Sequence, residues 1–457
     1  MTGGSRPPLD PALARRLHEV EGEIFARRPE HAVEPTLDRI SALAALLGDP
    51  QRAYPVIHVT GTNGKTSTAR MIETLLRTRG LRTGLFTSPH LSNVRERIVV
   101  DGEPLSVEAF LATYDEIAPY VALVDEREPL RLSFFEVLTA MAFAAFADAP
   151  VDVAVIEVGL GGTWDATNIA DGAVAVVTPV SIDHTRYLGS TIEEIAGEKA
   201  GIIKPGAVAV LGQQPLAAAE VLLRRASEVG AAVAREGIEF GVVARELAVG
   251  GQLITVRGLA GEYQDLLLPL FGEYQATNAA CALAAVEAFA SGGPGGEPLG
   301  EDLVREAFAA MTSPGRLEVV RRSPVVIVDS AHNPAGMAAS VAAVTEAFSF
   351  QTLIAVLAIS EDKDVPAVLD QLEPAADALV VTRNSSDRSM DPGKLAELAV
   401  AVFGPDRVRA ADRIDDAIDV AVGLADEAAT DGLGGSGVLV TGSVVTAGDA
   451  RSLLGRS

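Results

Sequence analysis

Cysteine is almost missing from this chain of 457 residues: Cys281 is the only one. A disulfide framework is therefore impossible, which fits a reducing cytoplasm. Cys281 sits in an Ala-rich helical run and reads as packing, not as a nucleophile. Positive charge is scarce too. Thirty-seven Lys and Arg stand against 62 Asp and Glu, a formal charge of −25. So acidic a surface argues against nucleic acid and against anionic membranes as partners. Long apolar runs are also lacking. The most apolar stretch, Leu138 to Ile156, is interrupted by Asp148, Pro150 and Asp152, and reads as helix, turn and strand instead of a membrane span. The N-terminus has no apolar segment of the secretory kind, since Arg15, Arg16 and Glu19 break it up. The expectation is a cytoplasmic α/β protein of two or three domains, because one core does not span this length.

What is present is more telling. Val56 to Thr60 is a β-branched strand, followed by the turn Gly61-Thr62-Asn63-Gly64 and by Lys65-Thr66-Ser67 opening a helix. Glycines at 61 and 64 allow main-chain N–H groups to approach phosphate oxygens, and the helix start adds its positive dipole end. Lys65 would reach the β- and γ-phosphates, and the Thr66 hydroxyl would ligate Mg²⁺. Val59 stands where the usual phosphate loop has a further glycine, so the motif alone is weak. Its flanks strengthen it. The run 55–60 reads as a buried parallel strand, and Ala69, Ile72, Leu75 and Leu76 give the following helix one apolar face. The chain is expected to use ATP.

The first dozen residues read as disordered. Helices near 12–27 and 35–47 come next, followed by alternation: strand 55–60, helix 65–79, strand 82–87, helices 106–121 and 133–147, strands 152–158 and 173–178, helix 191–199. Such a rhythm means parallel βαβ units. The segment 207–270 has shorter strand-like pieces around Gly250-Gly251 and reads as an antiparallel subsheet. Helices 275–291 and 301–311 lead to Ser313-Pro314-Gly315-Arg316, which reads as a hinge. Beyond it, strands at 324–329, 352–358, 377–382 and 436–441 alternate with helices at 334–348, 364–372, 392–403, 412–425 and 447–454, and 430–437 reads as a linker. The fold class is thus α/β, a P-loop-type parallel-sheet ATPase domain (1–312), a hinge (313–318) and a smaller Rossmann-like domain (319–457).

Two further constellations follow strands. Glu157 ends a strand and runs into Gly159-Leu160-Gly161-Gly162, and Asp183-His184 follows the next strand. Ligands of open α/β sheets sit at the carboxyl ends of strands, so Glu157 and His184 are candidate metal ligands there. The alternatives are a strand-end carboxylate that caps a helix and a structural histidine.

These segments, taken together with Thr87-Ser88-Pro89-His90-Leu91, Glu96-Arg97-Ile98, Asp165 to Asn168, Leu188-Gly189, Glu198-Lys199-Ala200-Gly201-Ile202, Gly272-x-x-Gln275-x-x-Asn278-Ala279, Pro314-Gly315-Arg316-Leu317-Glu318, Asp329-x-Ala331-His332-Asn333-Pro334, Thr441-Gly442-Ser443 and Gly448-x-Ala450-Arg451, resemble the folylpolyglutamate synthase/dihydrofolate synthase family of the Mur ligase superfamily. The motifs run in family order from about residue 56 to the end.

The resemblance implies an ATP-dependent ligase that adds L-glutamate to dihydropteroate and to the γ-carboxyl of folates through an acyl phosphate. Gly61, Thr62, Asn63, Gly64, Lys65, Thr66 and Ser67 would bind ATP, with Asn278 and Arg316 reaching it across the hinge and Asp329 on the second domain. Thr66, Ser88, Glu157 and His184 would hold Mg²⁺, and Lys199 would be carbamylated to place a second ion. Lys65, Lys199 and His332 would be catalytic. His332 and Ser443 would meet the glutamate, while Asp165 and the N-terminal loop would face the pterin. The protein would be a monomer. One departure stands out: the family usually has Arg where this chain has Thr163. A UDP-sugar Mur ligase shares the chemistry but needs an additional domain before the phosphate loop, and only 60 residues precede Gly61. A non-hydrolytic nucleotide-binding regulator would have no need for Glu157, His184, Lys199 and Arg316 together.

Overall fold

The computed structural model describes residues 9–29, 32, 34–293, 295–431 and 435–455. The chain divides into two compact units. The first comprises residues up to Ser88, Val94–Glu239 and Cys281–Pro298, and the second Pro89–Asn93, Phe240–Ala280 and Leu299–Ser457.

In the first unit the elements are α1 (Pro11–Phe25), α2 (Asp38–Leu46), β1 (Val56–Thr60), α3 (Lys65–Thr78), β2 (Thr83–Phe86), β3 (Ile98–Val100), β4 (Glu103–Pro104), α4 (Val107–Arg127), α5 (Phe134–Asp148), β5 (Val153–Glu157), β6 (Gly172–Val177), α6 (Thr185–Leu188), α7 (Ile192–Ala200), β7 (Val208–Leu211), α8 (Leu216–Val229) and β8 (Ala232–Arg235). They build one sheet in the order β4-β3-β2-β5-β1-β6-β7-β8. Six strands from β2 to β8 run parallel, and β3 and β4 are an antiparallel edge. All five residues of β1 are buried, as a central parallel strand requires.

Three expectations change. Disorder over the first dozen residues is not what is seen at its end: Pro11 already opens α1, capped by the Asp10 carboxylate on Ala12 N, while residues 1–8 lie outside the described residues. The segment 207–270 is only partly antiparallel, since β7 and β8 are parallel strands joined by the 14-residue helix α8. The linker expected at 430–437 is also shorter: helix extends to Asp431 and a strand resumes at Gly435, with 432–434 outside the described residues.

The second unit opens with a three-stranded antiparallel sheet, β9 (Gly241–Ala248), β10 (Gly251–Arg257) and β11 (Glu262–Leu268). Helix α9 (Glu273–Ser291) begins in this unit and ends in the first, and α10 (Glu301–Ala310) follows. Then come β12 (Glu318–Arg322), β13 (Val325–Val328), α11 (Pro334–Ala347), β14 (Phe350–Leu357), α12 (Val365–Leu372), β15 (Ala378–Val381), α13 (Pro392–Phe403), β16 (Val408–Ala410), α14 (Ile414–Asp431), β17 (Gly435–Thr441) and α15 (Val444–Leu453). Their sheet has the order β12-β13-β17-β14-β15-β16, parallel except for β12.

One polar contact in the core fixes where α5 begins. Ser133 and Glu136 form a capping box, and the buried Arg39 of α2 donates Nε to both Glu136 oxygens at 3.0 and 3.3 Å. Both side chains are 6 % exposed. Removing one member of a buried pair leaves the other charge uncompensated, at a cost of about 3 kcal/mol or more. Arg39→Ala should therefore lower the urea midpoint of the first unit clearly. An unchanged midpoint would show that the pair does not anchor α5.

Candidate functional site

The chain leaves β1 for the distal strand β2, and β5 fills the place between them. From β5 it crosses β1 to reach β6. The carboxyl ends of β5, β1 and β6 thus meet at a change of winding direction, where open α/β sheets bind ligands. Three turns emerge there: Gly61–Gly64 after β1, Gly159–Gly162 after β5, and Ser181–His184 after β6.

The phosphate loop is tied from both flanks. Thr60 Oγ1 donates to Gly161 O at 2.7 Å, Thr62 Oγ1 donates to Ser181 O at 3.0 Å, and Ser181 N donates back to Thr62 Oγ1 at 3.0 Å. Asn63 Nδ2 lies 3.5 Å from Ser181 Oγ. Two lysines converge on one carbonyl. Lys65 Nζ donates to Gly61 O at 3.1 Å and Thr62 O at 3.0 Å, and Lys199 Nζ donates to Gly61 O at 2.8 Å. A cavity lined by Thr60, Gly61, Thr62, Lys65, Val158, Gly159, Leu160, Gly161, Asp183, His184, Leu188 and Lys199 opens at this point.

Lys199 is 3 % exposed, in the last turn of α7. Burial first, and the Lys65 charge second, hold its ammonium well below the ordinary lysine value, with Asp183, Asp165 and Glu198 opposing. Thr163 takes up the departure from the family pattern. Its N and Oγ1 both donate to Glu198 O, at 2.9 and 3.1 Å, and so dock the glycine turn on the end of α7. An arginine is not needed for that contact.

Glu157 is 1 % exposed. It accepts from Thr66 Oγ1 at 2.8 Å and from Ser88 N at 3.0 Å, which gathers three of the expected metal ligands. His184 is not gathered with them in the way a simple strand count suggests. β5 and β6 are not neighbours, because β1 runs between them, so their ends stand two strand spacings apart, roughly 9.6 Å instead of about 4.8 Å. His184 lines the lysine cavity, where its Nε2 lies 3.9 Å from Asp183 Oδ2. Among the described residues no three His, Cys, Asp or Glu side chains cluster as a ready-made metal site.

Asp165 is buried under the glycine turn. Oδ2 accepts from Leu160 N at 2.9 Å, and Oδ1 accepts from Thr167 N at 3.0 Å and Thr167 Oγ1 at 2.6 Å. Burial raises its carboxyl and these bonds oppose that. Elsewhere in the unit, Glu23, Arg27, Arg28, Tyr114 and Arg131 border a second cavity at the end of α1. The ring of Phe25, the last residue of α1, stacks on Phe134 at 5.4 Å.

In the second unit Asp329 follows β13 and is 3 % exposed. Its Oδ2 accepts from Leu317 N and its Oδ1 from Ala331 N, both at 3.0 Å. Burial first, and the Asp329 charge second, push the Tyr274 hydroxyl well above its ordinary value, with Arg316 opposing. Asn278 Nδ2 donates to Gln275 Oε1 at 3.2 Å. His332 Nδ1 donates to Ser330 O at 2.9 Å. Ser443 caps α15 through Thr446 N at 2.9 Å and accepts from Asn384 Nδ2 at 3.0 Å. Thr60, Ser181, Asp183 and Asn384 were not among the expected site residues. Only strand pairing reveals them, apart from Asp183, which stands beside the expected histidine.

Family comparison defines the class. Residues 59–286 match the Mur ligase middle domain and residues 315–444 the glutamate ligase domain of Mur ligases. The dihydrofolate synthase/folylpolyglutamate synthase of Mycobacterium tuberculosis is 52 % identical over 96 % of this chain and 94 % of its own. The Escherichia coli protein of that name is 36 % identical over 75 % of this chain and 76 % of its own. Crystal structures of Mycobacterium tuberculosis folylpolyglutamate synthase complexed with ADP and AMPPCP superpose with a TM-score of 0.93 at 53 % identity, covering 97 % of this chain and 99 % of that one. A structure of E. coli FolC in complex with DHPP and ADP gives 0.82 at 31 % identity, covering 98 % and 99 %. The chain belongs to the dihydrofolate synthase/folylpolyglutamate synthase family.

The buried amine makes a stability prediction. A lysine whose folded value lies below its unfolded value of about 10.5 leaves the unfolded state holding the extra proton. That penalty is complete below the folded value and fades as pH rises toward 10.5. Gly61 O retains the Lys65 donor when Lys199 is lost. Lys199→Met in bicarbonate-free buffer should therefore unfold at a higher temperature than wild type at pH 7, by a margin that narrows at pH 9. A variant less stable at both pH values would refute the buried neutral amine.

Proposed function

We propose that this chain is an ATP-dependent ligase that joins L-glutamate to dihydropteroate and to the γ-carboxyl of folates through an acyl phosphate. The observation that carries the reading is the convergence of Lys65 and Lys199 on Gly61 O beside Glu157, which sits on Thr66 and Ser88. Amide formation from a carboxylate needs that carboxylate activated. Its oxygen attacks the γ-phosphorus of ATP, ADP leaves, and the glutamate amine then displaces phosphate from the acyl carbon. Carboxylate and γ-phosphate repel, and Lys65 offsets that repulsion as the phosphoryl group moves.

A hard divalent cation fits the donor set of Glu157, the Thr66 hydroxyl and Ser88, all oxygen donors of the kind that Mg²⁺ takes. Bound there, it would supply charge against the phosphate oxygens. His184 and Lys199 are proposed as further ligands, Lys199 as its carbamate. Burial disfavours the ammonium form of Lys199, and the free amine adds to the carbon of CO₂ with release of a proton, which supports that modification. Asn278, Arg316 and Asp329 are proposed nucleotide contacts, and His332 and Ser443 glutamate contacts. Asp165 and the cavity at the end of α1 are proposed for the pterin-bearing acceptor, since the guanidinium groups that border that cavity suit a carboxylate.

Purified protein with ATP, glutamate and either dihydropteroate or a tetrahydrofolate should release phosphate only when all three substrates are present. Lys65→Ala should lower turnover by about a hundredfold or more while remaining folded. Unchanged turnover in that variant would remove the phosphate-loop reading. Glu157→Gln should raise the Mg²⁺ concentration for half-maximal rate roughly tenfold, with little change in KM for glutamate. A normal Mg²⁺ dependence would take Glu157 out of the ion's shell.

A further inference from the structure

Beneath the glycine turn lies a buried polar chain of which the reading above uses only Asp165. His58, in the middle of β1, is fully buried. Its Nε2 is 2.9 Å from Thr167 Oγ1, and that hydroxyl is 2.6 Å from Asp165 Oδ1. Asp165 in turn takes Leu160 N on its other oxygen. The path runs from the strand that carries the phosphate loop, through three side chains each at most 4 % exposed, to the main chain of the turn after β5.

Proton positions along it follow from the partners. Both Asp165 oxygens accept main-chain N–H groups, so the single Thr167 hydroxyl proton points to Asp165. Thr167 Oγ1 must then accept from His58, which makes His58 the Nε2–H tautomer. Its Nδ1 is left as a bare acceptor, and Nδ1 indeed has no partner in the structure. Burial, with Lys204 second, lowers the imidazole to about 3, so it stays neutral and works as a fixed donor. An apolar residue would fill this place between β5 and β6 with no polar group to bury. The histidine carries that cost, and what it supplies is a donor to the free side of the Thr167 hydroxyl.

We infer that His58 and Thr167 are positioning residues that act through Asp165 to hold the Gly159–Gly162 turn, and with it the acceptor side of the site, in register with the phosphate loop. The inference rests on the reading above that Asp165 faces the acceptor. The phosphates have their own main-chain cradle at Gly61–Thr66, so the acceptor should feel the loss first.

The test uses the full chain. Thr167→Val keeps the shape and removes the hydroxyl, and Thr167→Ser restores it. His58→Gln keeps a donor near the Nε2 position, and His58→Leu does not. Thr167→Val and His58→Leu should raise KM for dihydropteroate about tenfold, with kcat and KM for ATP within about twofold, as loss of one buried hydrogen bond allows. Thr167→Ser and His58→Gln should stay close to wild type. In ¹⁵N-histidine spectra one of the six histidines should be a neutral Nε2–H tautomer that does not titrate between pH 5 and 8. Its Nε2 resonance should move in Thr167→Val. Parallel rises in both KM values, no rescue by Ser, or an Nδ1–H tautomer at His58 would each overturn the inference. If wild type turns over no folate acceptor, the functional reading fails instead, and the tautomer alone decides the relay. If Thr167→Val does not fold, the wild-type tautomer and the His58 pair decide it.

Discussion

Gly61 is the constraint from which the first unit is organised. Its φ is +146°, and a Cβ there would lie 1.8 Å from Thr178 Oγ1. No L side chain survives such an approach. The reward of the missing side chain is a main-chain carbonyl at a point where two lysines on different elements reach it. Thr178 is held in turn, with N and Oγ1 both donating to Thr60 O, at 2.8 and 3.2 Å. The loop, the end of β6 and the end of α7 are therefore fixed as one piece. Gly162 repeats the device, since a Cβ there would stand 2.6 Å from Glu198 O. Without that closeness Thr163 would not reach the end of α7.

This geometry sets the electrostatics. The chain carries a formal charge of −25, yet the innermost groups at the loop are two amines, one fully buried. Lys65 lowers the tendency of Lys199 to stay protonated, Asp183, Asp165 and Glu198 oppose it, and Lys65 itself also donates to Thr62 O. A pair of amines at this turn of an acidic chain suits an anionic ligand. Net charge therefore describes solubility and repulsion from nucleic acid, while the site obeys its own few ångströms. At these distances burial matters more than the sum over the surface.

Much of the architecture was legible in the sequence because it is locally encoded. The run Val56–Thr60 is apolar and β-branched, and the capping pairs Ser133/Glu136 and Thr191/Glu194 start α5 and α7. The alternation after residue 317 is equally local, and helix α13 begins at Pro392 with Asp391 as its cap. What was not legible depends on pairing. No periodicity reveals that β1 separates β5 from β6 and so puts the turns that carry Glu157 and His184 two strand spacings apart. Helix α8 was missed because it lies between two four-residue strands, β7 and β8, in a segment whose short pieces resemble hairpins. His58 looked like any strand residue. Its partner Thr167 stands 109 positions further on, and only the fold brings them together.

The two units solve the same geometric problem with different chemistry. In both, turns leave the carboxyl ends of parallel strands and need to be held open. The first unit holds them with charged groups, Lys199 and Glu157. The second uses the Asp329 carboxylate after β13 and a neutral lattice after β15 and β17. Asn384 Nδ2 donates to both Ser443 Oγ and Thr446 Oγ1, at 3.0 and 2.9 Å. Thr446 Oγ1 donates to Ala358 O at 2.6 Å and so has its proton committed. The Ser443 proton must then point to Thr446 Oγ1, 2.8 Å away, while Ser443 Oγ accepts from Thr446 N. Every proton and lone pair of that serine hydroxyl is used within the fold. Ser443 thus acts first as the joint between the turns after β15 and β17, and any contact it makes with a ligand works by displacing a bond of this lattice. A site built that way is rigid before its ligand arrives, which keeps the entropy lost on binding small.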